Sequence, residues 1–158
     1  MNNSATPSDP YGALRELSHE RHYALWQAAK QGATFEGEDA RIVQAMRDHP
    51  EYYDTWEHLT EFGQAQVELN GVNPLLHVMM HTAVETQAAD NNPPEVRAVI
   101  EFRTAHRVAR HETIHVIANL LTQLMWRTLH DAEPFDNEKY RRKLIKMLPR
   151  SERNKLTN

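Results

Sequence analysis

The chain has 158 residues, 40% of them hydrophobic and 25% charged, the size and balance of one ordinary globular domain. It contains no cysteine, which excludes disulfides, thiolate nucleophiles and thiolate zinc sites, so a metal would have to be held by nitrogen and oxygen donors, and ten histidines supply them. No apolar run approaches the roughly 20 residues of a membrane span, and the opening, Met1 to Pro10, lacks the apolar stretch of a secretory signal. A cytoplasmic protein with no membrane partner is therefore expected.

Five glycines and the absence of alternating β-branched runs argue against a sheet, while long stretches of Ala, Leu, Glu, Gln and Arg repeat at helical period. The fold class predicted is all-α: a small bundle of four to five helices with short connections. Residues 1–10 read as a disordered lead-in, 11–148 as a single helical domain and 149–158 as a basic tail.

In chain order, a first helix is predicted from about Tyr11 to Lys30, with Leu14, Leu17, Leu25 and Trp26 as its apolar positions and Gly32 near its end. A second starts near Glu38, runs through Ile42, Val43 and Met46, and must break at His49-Pro50, because the residue before proline is pushed out of the α region. Pro50 opens a further turn carrying Tyr52, Tyr53 and Trp56. Asn70-Gly71 is a turn, and Asn73-Pro74 starts a helix with Leu76, His77, Met80, His81, Val84 and Ala88 on one side. After the turn formers Asp90 to Pro94, one long helix is predicted from Glu95 to about His130. Its core stripe is Ile100, His111, Ile114, Ala118, Leu121 and Met125, with His115 and Leu129 beside it. A last helix from about Glu138 to Leu148 buries Tyr140, Leu144 and Leu148. Trp26, Trp56 and Trp126 read as core anchors.

The chemistry lies in two His-x3-His pairs, His77 with His81 and His111 with His115. Residues four apart share a helix face, so each pair presents two imidazoles to one point, the logic of helical zinc chelation. Both pairs sit among Leu, Ile, Met and Val, where an imidazole needs a partner for its nitrogens. Four histidines would close a tetrahedral zinc site, and three plus water would leave the open position of a catalytic one. Glu112 with His115 has the spacing of dinuclear iron or manganese bundles, and Glu85 lies one turn beyond His81, so a di-metal variant stands beside the zinc or iron site. Helix arithmetic opposes the simplest picture. In a hairpin turning near Asn92, His111 and His115 would lie about 10 Å farther from the turn than His77 and His81. A bend near Val96 to Arg103, a steep crossing, or a substitute ligand from His49, His19 or His22 is required. His58, His106 and His130 fall off the core faces.

The net charge is −4, but Lys139 to Lys155 holds eight basic residues against one acid, a local +7 that leaves −11 on the rest. The alternative function is therefore an interaction protein, docking RNA, a ribosome or an acidic protein partner through its basic C-terminal helix and tail, and the other outcome for that segment is that it folds back on the chain's own acidic body. A homo-oligomer is compatible with either reading.

The order His49-Pro50-Glu51-Tyr52, Asn73-Pro74-Leu75-Leu76-His77 with His81, His111-Glu112 with His115, then Trp126, Pro134 and Tyr140 resembles the proteobacterial family called domain of unknown function 1841, over most of the chain. The resemblance implies that His77, His81, His111, Glu112 and His115 are the positions to watch, and a bacterial setting. Family members often carry a second acid just before the last histidine, where this chain has Ile114, and often an acid one residue after the position of Glu85. Both departures weaken the di-metal variant. The resemblance implies no activity.

Overall fold

The computed structural model describes residues 9–156, so most of the expected lead-in over 1–10 lies outside the described residues. Eight α-helices are present among them rather than four or five, and no strand, only an isolated antiparallel bridge between Leu69 and Val72. The packing separates into two compact units, one ending at Val78 and one beginning at Met79, where the composition predicts one core.

The first unit holds α1 (Gly12–Lys30), α2 (Gly37–Arg47), a 3-10 turn Pro50–Tyr52, α3 (Tyr53–Glu57), a 3-10 turn Leu59–Phe62 and the first turn of α4 (Pro74–Asp90). Helix α1 ends as expected at Gly32, whose φ of +83° is the left-handed conformation that glycine tolerates. Gly32 N–H donates to the Ala29 carbonyl and Ala33 N–H to the Ala28 carbonyl, the paired closing bonds of a Schellman motif. Its buried face corrects the expectation. Leu14 and Leu17 are 63% and 61% exposed, while His19, His22, Trp26 and Ala29 are buried. Leu17 lies about 200° around the helix from His19, so the two sets compete for one inward face. The polar set wins because its members have partners: Trp26 Nε1 donates to Glu57 at 2.7 Å, joined there by Lys30 and Gln27. Around Trp26 the core is completed by Met46, Trp56, Leu59 and Val78.

Helix α2 stops before His49, whose φ of −124° and ψ of 72° are the displacement that Pro50 imposes. Asn70 and Gly71, both at positive φ, make the expected turn under the Leu69–Val72 bridge. Asn73 Oδ1 then accepts from Leu76 N–H at 3.0 Å, capping α4 behind Pro74. The side expected of α4 is shifted by one residue at its start: Leu75 is buried and Leu76 is 47% exposed.

The second unit holds the rest of α4, α5 (Pro94–Ala105), α6 (Arg110–Asp131), α7 (Asn137–Lys146) and α8 (Arg150–Leu156). The single long helix from Glu95 to His130 is overturned: it is two helices. Arg107 takes a φ of +63°, Val108 N–H donates to the Arg103 carbonyl and Arg107 N–H to the Thr104 carbonyl. This is again a Schellman end, with arginine where glycine is usual. Asn91, at φ +53°, closes α4 by the same pair of bonds. Helices α5, α6 and α7 pack on one another over Val99, Ile117, Leu121 and Leu144.

Two further expectations are corrected in this unit, and one alternative is met. Met125, Leu129 and Trp126 are exposed, and the buried stripe of α6 is Ile114, Ile117, Ala118, Leu121 and Leu124 instead. The last helix ends at Lys146, and residues 150–156 form a separate helix that packs against α5, with Leu156 against the core. The basic segment is partly absorbed by the fold. Arg141 gives two hydrogen bonds, at 2.8 and 3.0 Å, to one carboxylate oxygen of the buried Glu95, and Arg153 donates to the Leu148 carbonyl.

Candidate metal centre

Of the four histidines expected to converge, three do so within the second unit. His81 comes from α4, and His111 and His115 from the first two turns of α6. One nitrogen of each ring lies within 4.8 Å of those of the others. The ring centroids are 5.2 Å apart for His81 and His111, 4.5 Å for His81 and His115, and 4.4 Å for His111 and His115. The last two bring their Nε2 atoms to 2.9 Å of each other, as an i, i+4 pair turned to one point does.

The break at Arg107 makes this convergence sterically reachable. A continuous helix would have carried His111 and His115 past the level of His81, whereas the αL residue lets α6 start in a new direction. The break falls later than the bend expected between Val96 and Arg103. Two contacts hold it. Arg103 Nε donates to the Thr113 hydroxyl at 3.1 Å, joining α5 to α6, and Thr113 is fully buried. Arg110, the residue before His111, grips Glu85 with two hydrogen bonds of 3.0 and 2.6 Å, and that partnership raises its own pKa. Glu85 is four residues after His81, so this ion pair fixes the start of α6 against α4 beside the imidazoles.

The carboxylates expected near the site are therefore placed elsewhere. Glu85 serves Arg110, Glu112 is exposed, and no Asp or Glu among the described residues joins the histidine group. Arg110 is the residue that sequence reasoning missed. Its signal was present, an acid one turn after His81 and a base just before His111.

His77 belongs to the first unit, where its Nε2 lies 2.8 Å from His49 Nε2 and its ring stands edge-on to that ring at 4.5 Å. His49 Nδ1 lies 2.6 Å from the Ala45 carbonyl. A carbonyl only accepts, so Nδ1 carries the proton. His19 and His22, considered as substitutes beside His49, stand outside the histidine group: His19 Nδ1 donates to the Gly63 carbonyl at 2.9 Å and His22 Nδ1 to the Ser18 carbonyl at 2.7 Å. Burial holds the His22 pKa below its usual value. His58, His106 and His130 are exposed, as expected.

Three imidazoles aimed at one point, with no carboxylate among them, suit a borderline-soft divalent ion. Donors about 2.0–2.1 Å from a tetrahedral ion stand about 3.3 Å apart. The 2.9 Å between His111 and His115 would open by a few tenths of an ångström, which a small ring rotation supplies.

No helix among the described residues is long and apolar enough to cross a membrane. No curated protein and no solved structure matches the chain. A family model described as a domain of unknown function (DUF1841) matches residues 15–146, well over half of the sequence and including every histidine of the group. The chain belongs to the DUF1841 family.

Proposed function

We propose that this protein binds a divalent transition metal, zinc or iron, through His81, His111 and His115. The observation that carries the reading is the convergence of three imidazole nitrogens within 4.8 Å in a group free of carboxylates. An all-imidazole set favours a single ion over a carboxylate-bridged pair, because bridging needs the glutamates that here stand outside it. Glu85 acts through Arg110, as a positioning residue.

The ion's coordination separates its roles. Four protein nitrogens close a tetrahedral shell and make the ion structural, while three leave a position for a water that the ion activates for hydrolysis or group transfer. The test is elemental analysis of protein purified without a histidine tag, wild type beside a His81→Ala, His111→Ala double variant. About one equivalent of zinc or iron, lost in the variant, is expected. Its X-ray absorption spectrum then counts the imidazoles. A wild type that takes up no stoichiometric ion even after supplementation would overturn the reading.

A further inference from the structure

The cations of the basic segment divide into two classes. Arg141 is held by Glu95 and Glu138, Lys155 by Glu152, and Arg153 by backbone carbonyls. These are spent on the fold. Lys139, Arg142, Lys143, Lys146 and Arg150 make no ion pair among the described residues, and neither does Arg127 on α6. The four on α7 stand at positions i, i+3, i+4 and i+7, one face of the helix.

That face borders two adjoining clefts that share Lys139 and Lys143. No acid lines either one, although the chain as a whole is acidic. The first cleft also presents Trp126, which is 56% exposed. Its ring lies nearly parallel to that of His130, 16° between planes and 3.9 Å between centroids. An indole held flat beside a row of unneutralised cations matches a polyanion that also carries aromatic faces.

We propose that the α6–α7 groove is a binding site for single-stranded nucleic acid, with phosphates on Lys139, Arg142, Lys143 and Lys146 and an unstacked base on Trp126. A duplex keeps its bases stacked and offers nothing to the indole, and an acidic protein would use the cations without needing the ring. The inference is independent of the metal site. It also moves the binding surface off the C-terminal tail, whose helix α8 packs on α5.

The test is fluorescence anisotropy of a labelled oligouridine of about twelve nucleotides, titrated across a salt series, with the matching duplex and polyglutamate as competitors. Four phosphate contacts give a slope of log K against log salt near −3, from about 0.7 per contact. A Lys139→Glu, Lys143→Glu variant is expected to lose at least half of that slope. Trp126→Ala should weaken binding about tenfold, the size of one lost base stack, and Trp126→Phe should restore most of it. Trp126 is on the surface, so circular dichroism separates lost binding from lost folding. No binding at low salt would overturn the inference. So would binding indifferent to Trp126→Ala and displaced as well by polyglutamate, which would mark an acidic-protein surface, or self-association abolished by Trp126→Ala, which would mark a second copy of this chain as the occupant.

Discussion

Histidines are buried in both units, yet His19 and His22 of the first and His81, His111 and His115 of the second do opposite things with their ring nitrogens, while His49 and His77 of the first bring Nε2 to Nε2 at 2.8 Å. In the first unit His19 and His22 each spend Nδ1 on a backbone carbonyl, and His22 leaves Nε2 buried with no partner among the described residues. In each such ring the carbonyl fixes a proton on Nδ1, and the ring serves packing. In the second unit His81, His111 and His115 turn nitrogens toward one another. Facing imidazoles can be satisfied in only two ways: by sharing a proton, donor against acceptor, or by sharing a cation. Burial alone does not mark a metal site. What marks it is three ring nitrogens converging on one point.

The largest effect that would break this comparison is thermal. Ions that bind the folded state alone stabilise it by mass action, by about 2.7 kcal/mol at a free concentration one hundred times Kd. For a domain of this size each kcal/mol moves Tm by about 2–4 °C, so added zinc is expected to raise it by about 5–10 °C. His115→Ala should abolish the rise and leave the Tm of chelator-treated protein nearly unchanged. Scanning fluorimetry with zinc against a chelator reads both. A rise that survived in His115→Ala would erase the distinction between His115 and the carbonyl-bound His19 and His22.

The residues that ended helices show how much of this arrangement was legible beforehand. Three helices close with the same Schellman bonds, and their left-handed residues are Gly32, Asn91 and Arg107. The first two are residue types that enter this conformation cheaply, and the ends of α1 and α4 were readable from them. Arg107 enters it against its own preference, held by surrounding structure, so nothing local distinguished it from the helical residues on either side. The four-histidine arithmetic nonetheless required some departure from a straight helix, and the break supplies it. Pairing of His111 with His115 was legible because it is local. That His81 joins them and His77 does not was not, since it depends on where α6 begins. Trp126 misled for a related reason: hydrophobic content places a tryptophan inside, and only packing reveals that Ile117, Leu121 and Leu124 fill that core without it.

A smaller effect sharpens the comparison from the first unit's side. His22→Ala removes a buried ring and its carbonyl bond, a cost of about 2 kcal/mol, or a Tm lower by about 4–8 °C, with metal content unchanged. The same residue gives the metal-free protein a pH dependence of defined sign. With its folded pKa held below the unfolded one by burial, the unfolded chain takes up a proton first as pH falls. Stability is full above the unfolded value of about 6.5 and declines below it. Urea midpoints of chelator-treated protein between pH 7.5 and 5 should therefore fall, and fall less in His22→Ala. Equal declines in the two proteins would remove His22 as a source.

The smallest effect probes what holds the second unit's imidazoles together. Glu85 and Arg110 are partly exposed, at 28% and 53% of their side chains, and pairs of that kind contribute up to about 1 kcal/mol. If the pair positions α6 against α4, that energy appears in metal affinity: Glu85→Gln should weaken zinc binding about fivefold while leaving the number of imidazole ligands unchanged. A directly ligating glutamate behaves differently, because its loss alters the absorption spectrum of the bound metal itself. Exchange of the two residues, Glu85→Arg with Arg110→Glu, restores the attraction with its polarity reversed and is expected to recover part of the lost affinity. Recovery in the exchange variant identifies a clamp. A further loss there, with a changed spectrum, would instead make Glu85 part of the coordination shell and return the di-metal reading to contention.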